Sequence, residues 1–107
     1  MSTPALASVY ATFADAEEAK RIARMMVEER LAACANILGA CRSIYRWQDK
    51  VEEGEEIAAI FKTSADGAAA LVARIAELHS YDLPAVVAWP GEHGSAELRG
   101  WVEESIG

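Results

Sequence analysis

Residues 6–47 read LASVYATFADAEEAKRIARMMVEERLAACANILGACRSIYRW, and the order of patterns in this stretch decides the fold. Leu6 to Phe13 holds Val9, Tyr10, Thr12 and Phe13, the β-branched and aromatic side chains that favour a strand. Asp15, with Glu18 three residues on, has the spacing of a capping box and starts a helix. Ala19, Ile22, Ala23, Met26, Val27 and Leu31 then recur at helical spacing and form one apolar stripe. From Cys34 to Trp47 the pattern returns to strand, interrupted at Gly39-Ala40 by a bulge or bend.

The rest of the chain repeats this unit. Gln48-Asp49-Lys50 predicts a hairpin turn, and Ile57 to Thr63 a strand, with acidic residues 51–56 leading into it. Ser64 or Asp66 is the expected cap of a second helix with Ala68, Leu71, Val72, Ile75 and Leu78 on its apolar face. Pro84 and the residues before it break that helix. Ala85 to Trp89, between two prolines, predicts a buried strand. Ser95 caps a last helix with Leu98, Trp101, Val102 and Ile106 as its stripe.

Strand, helix, strand, strand, helix, strand is the split βαβ repeat, here with an added C-terminal helix. The fold class is α+β, a ferredoxin-like sandwich in one domain spanning residues 1–107. Right-handed crossovers put both long helices on one face of a four-stranded antiparallel sheet. Tyr45, Trp47, Val86 or Val87, and Trp89 fall on the other face, according to register. An open apolar face and free strand edges favour self-association.

Composition narrows the partners. Ten Lys and Arg face seventeen Asp and Glu, a formal charge of −7. That balance repels phosphate backbones and anionic membrane surfaces, so neither nucleic acid nor membrane is an expected partner. No apolar run approaches the roughly 20 residues of a membrane span. No signal peptide is visible, and a cytoplasmic address is expected. Cys34 and Cys41 would lie about 23 Å apart on an extended strand, too far for a disulfide unless the chain turns sharply at Gly39. Walker, Gly-x-Gly-x-x-Gly and His-Glu-x-x-His motifs are absent, as are hydrolase serine motifs, so no enzyme is expected.

Several segments together resemble the CutA family of divalent-cation tolerance proteins. Leu31-Ala32-Ala33-Cys34-Ala35-Asn36 is similar to its "LAAC-x-N" strand start, and Ser43-Ile44-Tyr45-Arg46-Trp47 to its "S-x-Y-x-W" strand. Lys62-Thr63 matches "K-T", His79-Ser80-Tyr81-Asp82-Leu83-Pro84 looks like "H-P-Y-x-x-P", and Trp101 stands at the family's late tryptophan. The resemblance implies a ferredoxin-like fold, a homotrimer, and an architecture similar to nitrogen-signalling PII proteins. It implies tolerance of copper and other divalent cations, with no obligatory cofactor and with Cu or another divalent cation as the candidate ligand. It places copper ligands at a first-strand cysteine and a histidine pair, where this chain has Ala11 and Leu78-His79.

His79 is therefore the candidate metal ligand. Cys34, Tyr45, Trp47 and Lys62 are the candidate walls of a ligand cleft between subunits, with Lys62 offering charge to an anion. Each has a plainer reading as a helix-end, core or interface residue. Cys41 reads as packing or an exposed thiol. His93, beside Glu92, reads as a loop residue able to catch a cation. Glu52, Glu53, Glu55 and Glu56 read as a solvated acidic turn with weak affinity for Ca²⁺ or Mg²⁺, without EF-hand spacing. Two functions follow: a trimeric cation-binding protein, or a stable trimeric scaffold or signalling protein whose metal binding is adventitious.

Overall fold

The computed structural model describes residues 5–91 and 93–107. Seven elements follow in the expected order: β1 (Leu6–Phe13), α1 (Ala16–Glu28), β2 (Cys34–Trp47), β3 (Lys50–Ser64), α2 (Ala68–Leu78), β4 (Val86–Gly91) and α3 (Ala96–Ser105). The strands form one antiparallel sheet in the order β2-β3-β1-β4.

The period of two in β1 divides the two faces. Ala7, Val9, Ala11 and Phe13 are buried. The core joins the last three of these to Ala19, Ile22, Ala23 and Met26 of α1, Ala59 and Phe61 of β3, and Leu71 and Ile75 of α2. Both long helices thus cover one face, as the crossover rule requires. The opposite face carries Tyr10, stacked on Trp89 at 5.4 Å. Register resolves the open alternative in favour of Val87, which lies opposite Tyr10, while Val86 pairs with the buried Ala11. Val87 and Trp89 remain nearly half exposed.

The caps follow local chemistry where their partners are local. Asp15 Oδ1 accepts the Glu18 N–H at 2.8 Å, and Ser95 Oγ accepts the Leu98 N–H at 3.1 Å. Beyond α1, Arg30 takes a φ of +61°, and the Leu31 N–H closes on the Met26 carbonyl at 3.0 Å. This left-handed residue turns the chain into β2. At α2 neither expected residue is the cap. Gly67 stands there, while Ser64 ends β3 and its Oγ accepts the Gly67 N–H at 3.0 Å.

Three other expectations are corrected. β3 starts at Lys50, so the acidic residues 52–56 are strand and not turn. β4 is an edge strand with alternating burial and includes Pro90, whose missing N–H costs nothing on an unpaired edge. On α3 only Val102 is fully buried, and Trp101 points outward at 46% exposure.

β2 and β3 outrun the sheet. β1 pairs with β3 only from Ile57 to Ser64, so from Cys41 and Glu56 outward the two strands pair only with each other. This two-stranded arm stretches the molecule to 50 × 25 × 21 Å. The β2–β3 register shifts between Ile37 and Gly39, before the arm begins, where Gly39 has a φ of +107°. The arm closes through Gln48 and Asp49, both with positive φ, as a two-residue hairpin demands.

Candidate functional site

A groove of about 500 Å³ lies between the arm and the loop that follows α2. Period two builds its floor. Ser43 lies opposite Gly54, and both are small. Tyr45 and Trp47 follow on the same face of β2, and Glu56 stands two residues from Gly54 on β3. Tyr81, Asp82 and Leu83 form the facing wall. Tyr81 Oη donates to Glu56 Oε2 at 3.0 Å, tying loop to arm. Burial, reinforced by the Glu56 carboxylate, pushes the Tyr81 phenol up to about 12, so it remains a donor.

The loop is held from beneath by Glu18, which is buried at the start of α1. One carboxylate oxygen accepts the Ala14 N–H at 3.2 Å and the other the Ser80 N–H at 2.8 Å. Burial alone would raise its pKa, but the hydrogen bonds from Ser80 and Ala14 outweigh it and hold the carboxyl below its ordinary range.

His79 lies beside these groups and is 9% exposed. Its Nε2 sits 2.7 Å from the Thr12 carbonyl, and its Nδ1 accepts the Tyr81 N–H at 3.1 Å. A carbonyl only accepts and an amide N–H only donates. The network therefore assigns the neutral Nε2–H tautomer. The ring also stacks on Phe13 at 5.0 Å. A metal would need the Nδ1 lone pair, which the Tyr81 N–H already occupies. In this structure both ring nitrogens of His79 take part in hydrogen bonds at the end of α2. Ala11 is fully buried on the helix face, and Leu78 ends α2.

The four expected cleft residues form two pairs within one chain. Tyr45 and Trp47 line the groove. Cys34 pairs in register with Lys62, ten positions along β3 from the partner of Tyr45, or about 33 Å at the strand rise. Lys62 Nζ donates to Asn36 Oδ1 at 2.6 Å, next to the free thiol of Cys34. The pairs would share a cleft only across an interface between copies. Cys41 is also a free thiol, 4.0 Å from Ser43 Oγ. The pleat divides the acidic run. Glu53 bonds Arg42 at 3.2 Å on one face, while Glu56 bonds Tyr81 on the other. Among the described residues no group of three or more His, Cys, Asp and Glu side chains is placed to hold a metal ion. His93 is exposed, and its neighbour Glu92 lies outside the described residues.

Sequence reasoning passed over Tyr81, Glu56 and the Ser43–Gly54 floor as site elements. The signal for the floor was present: Ser43, Tyr45 and Trp47 share one parity. Nothing local, however, says that Tyr81 crosses to Glu56.

The family model for CutA1 divalent ion tolerance protein matches residues 7–105. This chain belongs to the CutA1 family. The divalent-cation tolerance protein CutA of Thermus thermophilus is 41% identical over 99 residues, covering 92% of this chain and 96% of that protein. CutA1 from Oryza sativa has a crystal structure that matches with a TM-score of 0.92 at 35% identity, covering 98% of this chain and 97% of the other. The periplasmic divalent cation tolerance protein CutA from Archaeoglobus fulgidus matches at 0.91 and 35% identity, covering 95% and 99%. The α+β sandwich expected from the order of elements is thereby shared with solved CutA1 structures. The CutA1 resemblance read from residues 31–36, 43–47, 62–63 and 79–84 falls inside the matched span.

Proposed function

We propose that this CutA1 chain acts in divalent-cation tolerance as a homotrimer, binding a cation or small ligand and catalysing no reaction. One observation carries the assembly: the apolar surface continues from the open sheet face onto the arm. Tyr45 and Trp47 on the arm are 48% and 45% exposed, and Val87 and the Tyr10–Trp89 stack are only half covered. A lone two-stranded ribbon is marginal in water, and both outer strands of the sheet present unpaired edges. Copies packed on one another would cover the face, support the arm and bring Tyr45 and Trp47 of one copy toward Lys62 of another. The family name supports a role in cation tolerance. Copper and a cytoplasmic address belong to the same proposal.

Light scattering at micromolar concentration tests the assembly, with a mass about three times 11.5 kDa expected. A monomer overturns it. Calorimetry with Cu²⁺ on metal-free protein tests the ligand. The closed hydrogen bonds of His79 favour a second reading, a stable trimeric scaffold or PII-like signalling protein whose metal binding is adventitious. A stoichiometry varying with surface thiols alone would support the latter.

A further inference from the structure

We propose that α3 is a releasable strap, packed on β3 and held shut by one residue, Arg30, which clips it from the joint between α1 and β2. The clip lies within one chain and goes beyond the proposed assembly. Arg30 is an unexpected residue for its place. Its own N–H bonds the Val27 carbonyl at 3.1 Å, and the Leu31 N–H bonds that of Met26 at 3.0 Å. These are the two bonds of a Schellman ending, whose left-handed position glycine fills without strain. Arg30 holds that position at a φ of +61°, a strain that a glycine would remove.

What an arginine adds there is reach. Arg30 Nη2 donates to the Glu104 carbonyl at 2.9 Å, 74 positions along the chain, and the Arg30 carbonyl accepts the Gly107 N–H at 3.0 Å. The end of α3 needs both bonds. The carbonyls of a last helical turn have no partner within the helix. This turn has no basic residue and carries Glu103 and Glu104, whose charge opposes the helix dipole. The Gly107 N–H, which in a glycine-ended helix turns back on the last carbonyls, goes to Arg30 instead. Packing adds little, because Val102 alone in α3 is fully buried and Trp101 is 46% exposed. Elements with few buried contacts open first. Opening α3 uncovers Val102 and frees the approach to Cys34 at the start of β2.

The test is amide hydrogen exchange, read element by element on the protein as it assembles, at one fixed concentration, for the parent, Arg30→Ala, Arg30→Lys and Arg30→Gly. Arg30 is exposed, and alanine keeps the left-handed strain, so Arg30→Ala removes the side-chain clip alone. The α3 amides should then exchange roughly tenfold faster, the loss of one bond from a charged donor, while β1 and α1 keep the parental rate. Arg30→Gly should quicken α3 as much, although it relieves the strain at the end of α1. Arg30→Lys, which keeps the charge without the planar fork, should fall between the parent and Arg30→Ala. Parental exchange of α3 in Arg30→Ala, the result also expected if a neighbouring copy holds the helix, would overturn the proposal. So would a rise shared by every element, or an Arg30→Gly variant whose α3 exchanges as slowly as the parent's.

Discussion

Replacing His79 with Ala separates a structural histidine from a metal ligand. The imidazole is almost fully buried and makes two hydrogen bonds, to the Thr12 carbonyl and from the Tyr81 N–H. At about 1 kcal/mol each, these account for about 2 kcal/mol. The stack on Phe13 adds about 1 kcal/mol. His79→Ala should therefore lose about 3 kcal/mol, a drop of roughly 12–20 °C in Tm for a domain of this size. His79→Phe keeps the stack and removes only the hydrogen bonds, so it should lose about 2 kcal/mol. The assay is thermal or guanidinium unfolding at one fixed protein concentration, since association would add to the stability. It is paired with Cu²⁺ calorimetry on the folded variants. Unchanged Cu²⁺ affinity with reduced stability is expected. Variants that unfold within 1 kcal/mol of the parent yet bind Cu²⁺ tenfold more weakly would refute the reasoning and make His79 a ligand.

Other consequences follow from the buried carboxylate and the bulge. The Glu18 carboxyl is depressed in the fold, so its stabilisation is present above its ordinary value of 4.5 and is lost as pH falls through the lower folded value. The Tm difference between the parent and Glu18→Gln should accordingly shrink from pH 6 toward pH 2, and a difference that grows on acidification would contradict this. Gly39→Ala should cost about 1 kcal/mol or more although its Cβ would meet nothing within 4 Å, because the φ of +107° is strained for any side chain. Gly54→Ala, equally open but without positive φ, should change stability by less than about 0.5 kcal/mol, and equal losses at the two sites would remove the backbone explanation.

Much of the fold was legible because its signals are local. The stripe from Ala19 to Met26 needs only the 3.6-residue period, and the caps at Asp15 and Ser95 bond within three residues. The interruption at Gly39 stands where the sequence places it, and the turn expected over Gln48-Asp49-Lys50 narrows to Gln48-Asp49 because Lys50 pairs with Trp47 and opens β3. The misreadings sit where a neighbour outweighs the local pattern. Ser64 looks like a cap, but pairing with Leu6 keeps it in β3. Pro90 looks like a strand end, but an edge tolerates it. Trp101 fits a stripe that only Val102 fully buries.

The site was less legible, for a reason of distance along the chain. Sequence alone determined the order of the elements, the faces each one owns and the aromatic character of Tyr45 and Trp47. Only the tertiary structure decided that Tyr81 reaches Glu56, that Glu18 holds Ser80 across 62 positions, and that His79 spends both nitrogens across 67 positions and two. Periodicity and capping report which way a side chain points relative to its own backbone. A hydrogen-bond partner dozens of residues away is chosen only when the helices close over the sheet, and that choice engages both ring nitrogens of His79.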